Sequence, residues 1–280
     1  MKDLSNENVV HVIKNGVQYL QFRKLLEYEE IITHAYSLGT EVNYRPIKAN
    51  GEQLSENEYT NVLKNYSKLC DELKTNYINL MRPNQNHTDK IITVEEIINK
   101  GEPDFNLDKY TDIDGAITNK KDIILSTTNA DCILLLFFDP VKKVIANTHS
   151  GWKGTLQRIS VKTIQKMIKE FKCNPKDIIC CMCPSIRKCH FEVNIDVKEM
   201  FEKEFKNLEQ IDKIIEEKEP NKKWNIDTIL INKIILEKAG LKKENIVDSE
   251  ICSVCDSDLI HSFRVEKEGY GLNTALIELK

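Results

Sequence analysis

The sequence predicts an α+β chain in which mixed β-sheets are covered by helices, layered α/β/β/α. Three observations carry this expectation. Apolar, β-branched segments alternate along the chain with amphipathic stretches of helical period. The run from Cys132 to Phe138, CILLLFF, is apolar at every position, which fits a strand covered on both faces by other layers. No internal repeat and no Pro/Gly/Ser-rich linker interrupts the 280 residues, so a single domain spanning 1–280 is expected.

Ser55 and Glu58 have the spacing of a capping box, and they open a helix that runs to about Leu73. Tyr59, Val62, Leu63, Tyr66, Leu69 and Leu73 fall on one face of it. Strands follow from Asp122 to Thr128, Cys132 to Phe138 and Val144 to Thr148. A second helix is expected from about Leu156 to Phe171, burying Ile159, Ile164, Met167, Ile168 and Phe171. Next come a strand from Asp177 to Met182, a helix from about Val197 to Phe205, and a helix from about Asp227 to Ala239. Gly240 is placed to end that last helix. The final strand runs from Thr274 to Leu279.

Forty basic side chains face forty-four acidic ones, a net charge of -4, and no long block carries one sign. A nucleic-acid partner is therefore not expected. The longest apolar run, Cys132 to Phe138, falls far short of the roughly 18 residues of a membrane span. The opening residues MKDLSNENVVHVIKNG lack the apolar core of a secretory signal. A soluble cytoplasmic protein is expected, as a monomer or small homo-oligomer. The nine cysteines are odd in number, and in that compartment they read as reduced thiols. Two groupings stand out: Cys180, Cys181, Cys183 and Cys189, and the pair Cys252-x-x-Cys255. A structural zinc site drawing on both would need four ligands brought together tetrahedrally. Free thiols are the expectation, with neither Cys189 nor His190 a ligand.

The chemistry concentrates between Asn129 and Thr155. Asp139-Pro140-Val141-Lys142 is a turn signal between two strand-like runs, because Pro presets an early turn dihedral and Asp favours turn initiation. If the turn is centred between Pro140 and Val141, paired residue numbers sum to 281, which sets Cys132 opposite His149. A thiolate and an imidazole so placed can share one ion at about 2.3 and 2.0 to 2.1 Å. A bulge of one residue would send them to opposite faces. Set against this, a cysteine opening an apolar strand is often simply a small buried hydrophobe. Ser150-Gly151-Trp152-Lys153-Gly154-Thr155 then brackets a strand-to-helix turn, whose free N–H groups suit an anion.

These residues resemble the YfiH-type, laccase-domain proteins, which are regarded as purine nucleoside phosphorylases and have also been named polyphenol oxidases and peptidoglycan editing factors. Ala130-Asp131-Cys132, Asp139-Pro140 and His149-Ser150-Gly151-Trp152-Lys153-Gly154-Thr155 are similar to that family's ADC, DP and HAGWRGT signatures. His34-Ala35-Tyr36-Ser37 resembles HAFST, Gln85-Asn86-His87 resembles QVH, and Asp114-Gly115-Ala116-Ile117-Thr118 resembles DALVT. Pro184 to Val193 is similar to PAIGPCCYEV, and His261-Ser262-Phe263-Arg264 to FSYR. The segment after Ser37 lacks the family's Arg and paired glycines, and Lys153 stands where an Arg is usual, exchanging a planar fork for a point charge.

The resemblance implies a metal site of His87, Cys132 and His149, with zinc as the ion or copper in its place. Three protein ligands leave one tetrahedral position open, the arrangement of catalytic zinc. It further implies Ser37, Lys153, Glu192 and Arg264 as substrate-binding candidates, with a purine nucleoside and phosphate as partners. The implied reaction is phosphorolysis of adenosine, inosine, guanosine or methylthioadenosine, with adenosine deamination possible at the same site. Three other readings are kept. A Cys-His hydrolase or amidase acting on peptidoglycan precursors would use Cys132 as nucleophile and His149 as base, without metal. A copper-type polyphenol oxidase would need several His-rich sites, which six histidines scattered through the chain do not supply. A non-catalytic binding module would turn over no nucleoside.

Overall fold

A computed structural model describes residues 2–48, 52–97, 102–105, 109–208, 210–220 and 222–280. Two six-stranded sheets lie at its centre. The first runs, edge to edge, Val9–Lys14, Val17–Phe22, Ile32–Ser37, Asn273–Leu279, Ile124–Asn129 and Leu80–Met81. The second runs Ile246–Asp248, Ile179–Met182, Ile133–Asp139, Val144–Ser150, Gly115–Thr118 and Ile91–Thr93. Both are mixed, each antiparallel through its middle with parallel pairing at an edge.

The doubly apolar strand explains the layering. In Ile133–Asp139, the side chains of Leu134, Leu136 and Phe138 enter the core between the two sheets, where they meet Leu125, Ala275 and Ile277. Ile133, Leu135 and Phe137 point the other way, to Ile164 and Met167 of the Ile159–Phe171 helix and to Ile229 and Leu236 of the Thr228–Lys238 helix. The outer face of the first sheet packs through Ala35, Ile124 and Leu276 on Val62, Tyr66, Leu69 and Leu73. Those four belong to the Glu56–Leu73 helix. The order is helix, sheet, sheet, helix, as the sequence predicts. A smaller three-stranded sheet, Glu192–Val193, Lys223–Ile226 and Ile215–Glu219, packs beside it on the Ile195–Phe205 helix.

The expected capping box forms in both directions: Ser55 N donates to Glu58 Oε2 at 2.8 Å, and Glu58 N donates to Ser55 Oγ at 3.4 Å. Asp227 caps its helix by accepting from Leu230 N at 2.9 Å, and Gly240 follows at φ 103°. Two expectations need correction. The helix expected from Leu156 is broken, because Arg158 adopts φ 58°: a short helix, Trp152–Leu156, precedes Ile159–Phe171. The Asp139-Pro140 hairpin is two residues out of the expected register. Asp139 pairs with Val144 and Leu134 with His149, so paired numbers sum to 283. The cause is a longer loop. Asp139 Oδ1 accepts from both Val141 N and Lys142 N, and Lys143 closes the loop at φ 53°. No helix of the described residues is long and apolar enough to cross a membrane.

Candidate metal centre and active site

A slip of two residues preserves the face on which a side chain lies. His149 is opposed by Leu134, and Cys132 sits two residues before Leu134, in the diagonal position rather than the direct one. The two side chains still converge. Ligand atoms of His87, Cys132 and His149 all lie within 4.8 Å of one another, and Cys132 Sγ is 3.6 Å from His87 Nε2. The imidazole rings of His87 and His149 meet edge to face at 4.9 Å.

The backbone builds this meeting point where the chain leaves one sheet for the other. Ala130, Asp131 and Cys132 join Ile124–Asn129 of the first sheet to Ile133–Asp139 of the second. Asp131 makes the turn at φ 84°, a conformation Asp tolerates better than most residues. Its carboxylate is fully engaged: Oδ1 accepts from Ser253 Oγ (2.6 Å) and Ser262 Oγ (2.7 Å), and Oδ2 from Arg264 N (2.7 Å). Asp131 thus anchors the site. It offers no free carboxylate for proton transfer.

Asp114 has the second organising role, and sequence reasoning placed it in a motif without assigning it one. It is fully buried, and its Oδ1 lies 2.7 Å from His149 Nδ1. The same carboxylate accepts from the backbone N–H groups of Asn86, His87 and Thr88 and from Thr88 Oγ1. One buried charge therefore holds both histidines. It accepts the Nδ1 hydrogen bond of His149, which turns Nε2 toward Cys132 as the nitrogen available to a metal. It also fixes the loop that presents His87, itself at φ 58°. Burial raises the Asp114 carboxyl, but His149 and Thr88 more than offset it and hold it below its ordinary value.

Burial alone would likewise push the Cys132 thiol up. The neighbouring His149 and His87 reverse that and bring it to about 6. His149 moves oppositely: burial works against its charge, yet Cys132 and Asp114 raise it to about 9. Before any metal arrives, the pair is a thiolate facing an imidazolium. Gly151 completes the packing by having no side chain. A Cβ there would stand 2.5 Å from His87 Cδ2 and 3.2 Å from Cys132 Sγ.

The three ligand candidates open onto a cavity of about 800 Å³, of the size that holds small-molecule ligands. Glu192 and Arg264, both expected at the substrate, line it. Arg264 donates from its guanidinium to the Glu192 carbonyl at 3.2 Å, and Lys223 Nζ lies 3.3 Å from Glu192 Oε1. The other two expected substrate residues are elsewhere. Ser37 is fully buried in its sheet, where Oγ accepts from Thr274 N at 2.9 Å. Lys153 is exposed, its ammonium 5.5 Å from the Trp152 ring. Neither lines the cavity. The turn after His149 leads into a helix of only five residues, too short for a large helix dipole.

Arg82 is a cavity residue that no motif singled out. It is buried, donates to Thr128 Oγ1 at 2.8 Å, and leaves Nε without a partner. No carboxylate pairs with it among the described residues. Burial above all, together with the charge of Arg45, lowers its pKa below the usual guanidinium value, partly offset by Tyr66. Aromatic groups stand on the same walls: Phe191, Phe263 and Tyr270, the last two edge to face at 5.1 Å. The other histidines have local partners. His34 Nε2 accepts from Phe22 N at 2.8 Å, and His261 lies between the Val42 carbonyl (2.8 Å) and Glu266 (3.0 Å).

The chain belongs to the family described as multi-copper polyphenol oxidoreductase laccase, whose model matches residues 42–280. Among its relatives is human purine nucleoside phosphorylase LACC1, 30% identical over 171 residues, 60% of this chain but only 38% of that protein. Adenosine deaminase RL5, from an unknown prokaryotic organism, is 28% identical over 70% of this chain and 73% of its own length. The crystal structure of the Bacillus licheniformis hypothetical protein YfiH superposes with a TM-score of 0.79 at 23% identity, covering 95% of this chain and 100% of that one. That likeness establishes the shared fold.

Proposed function

We propose that this chain is a zinc-dependent purine nucleoside phosphorylase acting on adenosine, inosine, guanosine or methylthioadenosine. One observation carries the reading: a cluster of two histidines and a cysteine opens onto a cavity that also presents buried arginine and aromatic rings. The name of LACC1 points the same way.

The donor set fits a metal. A tetrahedron with bonds of about 2.3 Å to sulfur and 2.05 Å to nitrogen has S–N edges of about 3.6 Å. Cys132 Sγ and His87 Nε2 stand 3.6 Å apart. His87, Cys132 and His149 would hold the ion, and when bound it supplies a Lewis acid with one open coordination position. Two histidines and one cysteine also suit copper. Elemental analysis and the colour of the protein separate the two metals. The second group of metal-compatible residues contains one histidine, so no multi-copper centre is assembled among the described residues.

Arg82 is assigned to phosphate. A buried guanidinium without a counter-charge is costly, and a phosphate dianion offsets that cost while accepting bidentate hydrogen bonds. Arg264 stands ready to share the anion, its backbone held by Asp131. Phe191 and Phe263 offer their faces to the purine. Glu192, oriented by Lys223, suits the ribose hydroxyls. Fixed so, a phosphate oxygen forms its bond to the anomeric carbon as the bond from that carbon to the purine nitrogen breaks, giving ribose 1-phosphate and free base. No substrate contact is assigned to Ser37 or Lys153, because both lie off the cavity wall.

Adenosine deamination is the second reading, favoured by the likeness to RL5. We place the chain in the cytoplasm, where cysteines stay reduced and available as metal ligands. The deciding experiment incubates zinc-loaded protein with inosine and with adenosine, with and without phosphate, and separates the products chromatographically. Phosphate-dependent release of base with ribose 1-phosphate is expected. Base released equally fast without phosphate means hydrolysis, and inosine from adenosine means deamination. Cleavage of an amide substrate by metal-free protein would put the Cys-His hydrolase in its place.

A further inference from the structure

A second group of ligands converges away from the first, and the proposed reaction does not use it. Cys189 and His190 end the loop after Ile179–Met182, while Cys252 and Cys255 lie in the loop after Ile246–Asp248. Their ligand atoms all lie within 4.8 Å of one another. His190 Nδ1 is 3.2 Å from Cys189 Sγ, 3.6 Å from Cys252 Sγ and 3.6 Å from Cys255 Sγ, and the sulfurs of Cys189 and Cys252 are 3.7 Å apart. These separations can be compared with the edges of a zinc tetrahedron. Bonds of about 2.3 Å to sulfur and 2.05 Å to nitrogen give edges of about 3.8 Å between sulfurs and about 3.6 Å from sulfur to nitrogen. Three of the four distances match to about 0.1 Å.

We propose that Cys189, His190, Cys252 and Cys255 hold a second zinc ion, structural rather than catalytic. Three thiolates and one imidazole fill all four tetrahedral positions, which leaves none for a substrate. Soft thiolates around a tetrahedral centre select zinc over magnesium or calcium. A disulfide explains less, because it would join two sulfurs at about 2.05 Å and has no need of an imidazole nitrogen facing three sulfurs. The remaining clustered cysteines take no part: Cys180, Cys181 and Cys183 are buried in and beside the second sheet.

The position of the group gives the ion its purpose. Ser253, inside the Cys252-x-x-Cys255 turn, donates to Asp131, the residue before Cys132. Two residues beyond His190, Glu192 stands on the cavity wall, and its carbonyl accepts from Arg264. The ion ties the loop that leads to Phe191 and Glu192 on the cavity wall to the loop that holds Asp131 through Ser253. It does so without touching the reacting atoms.

The test is metal stoichiometry, which needs no turnover and so fails or succeeds separately from the nucleoside assignment. Purified protein should carry about two zinc ions per chain, and Cys132→Ala/His149→Ala about one. Cys252→Ser/Cys255→Ser should lose the other. Cobalt substituted into the Cys132→Ala/His149→Ala protein should show thiolate-to-metal charge-transfer bands of three-thiolate intensity. Should the Cys252→Ser/Cys255→Ser protein not fold, thiol titration of the wild type decides. Cys189, Cys252 and Cys255 are expected to resist Ellman's reagent until a chelator is added. Absence of zinc from Cys132→Ala/His149→Ala, immediate reaction of those three thiols, or a Cys189–Cys252 disulfide by mass spectrometry overturns the proposal.

Discussion

Gly151→Ala tests the site through a single methyl group. The backbone of Gly151, at φ -65° and ψ 177°, is one that alanine adopts without strain, so the substitution adds volume and nothing else. The added Cβ would lie 2.5 Å from His87 Cδ2, 3.1 Å from His87 Nε2 and 3.2 Å from Cys132 Sγ. Carbon atoms settle at about 3.5 to 4.0 Å, so the His87 ring must retreat by about 1 Å. His87 is exposed and on a loop, so it can move at little cost to the fold. A metal centre tolerates such a shift poorly, and a misplacement of about 1 Å costs on the order of 100-fold in rate. Three measurements are needed: thermal unfolding of the metal-free protein, zinc affinity by chelator competition, and nucleoside turnover. The expectation is unfolding within about 1 kcal/mol of wild type, zinc affinity down about 10- to 100-fold, and turnover down by about two decades. Wild-type zinc affinity in a folded Gly151→Ala protein would refute the shared ligation of His87 and Cys132.

Asp114→Asn should weaken zinc binding about 10- to 100-fold and destabilise the fold by about 1 to 3 kcal/mol, because one carboxylate orients His149 and holds the 86–88 backbone. The native Asp114 carboxyl titrates below its ordinary 3.8, so its stabilisation is complete above that pH and is lost as pH falls through the lower native value. The difference in stability between wild type and Asp114→Asn should therefore shrink below about pH 4, and a constant difference contradicts it. In metal-free protein, alkylation of Cys132 should rise with pH through a midpoint of about 6, where its thiolate forms, and zinc should suppress it. A midpoint near the ordinary thiol value of about 8.5 removes the thiolate–imidazolium pair. Arg82→Met should raise the KM for phosphate about 10- to 100-fold with little change in the KM for nucleoside, and abolish thermal protection by phosphate. Equal phosphate protection in the variant removes Arg82 from the anion site.

The elements that were legible in the sequence had strong local signals. The Ser55–Glu58 box and Gly240 placed helix ends to within a residue or two, and CILLLFF declared a strand covered on both faces. What failed had a cause of its own. The hairpin register depended on how long a loop Asp139 would cap, and that is decided by Asp139 accepting from two successive amides and by Lys143 entering the left-handed region. Parity rescued the inference, since moving two residues leaves Cys132 and His149 on one face. The N-terminal hairpin Val9–Lys14/Val17–Phe22 carried a usable signal in Asn15-Gly16, both at positive φ, as a two-residue hairpin turn requires. Arg82 had no such signal, and the Cys189–Cys255 group had only half of one: the Cys252-x-x-Cys255 pair stood out, but the choice of Cys189 and His190 as its partners depends on a meeting of chain segments far apart in sequence.

Those distant partners also show why the site sits where it does. The two central sheets exchange the chain at Ala130–Cys132, and a crossover between layers leaves backbone that neither ladder satisfies. Side chains must hold it instead. Asp131 does so from one side through Ser253, Ser262 and Arg264, while Asn129 Nδ2 donates to the carbonyls of Cys132 and Pro184. Each of these contacts ends in a loop that bears either a cavity residue or a member of the second ligand group. Substitution at Asp131 should therefore disturb both groups at once. Asp131→Ala leaves two buried hydroxyls and an amide without their acceptor, at about 1 to 3 kcal/mol each before relaxation or water entry. It should lower zinc occupancy at both sites, and Ser262→Ala, which removes one of the three donors, should do so less. If Asp131→Ala kept full zinc at both groups and lost only turnover, Asp131 would act on the substrate directly and the anchoring role assigned to it would be wrong.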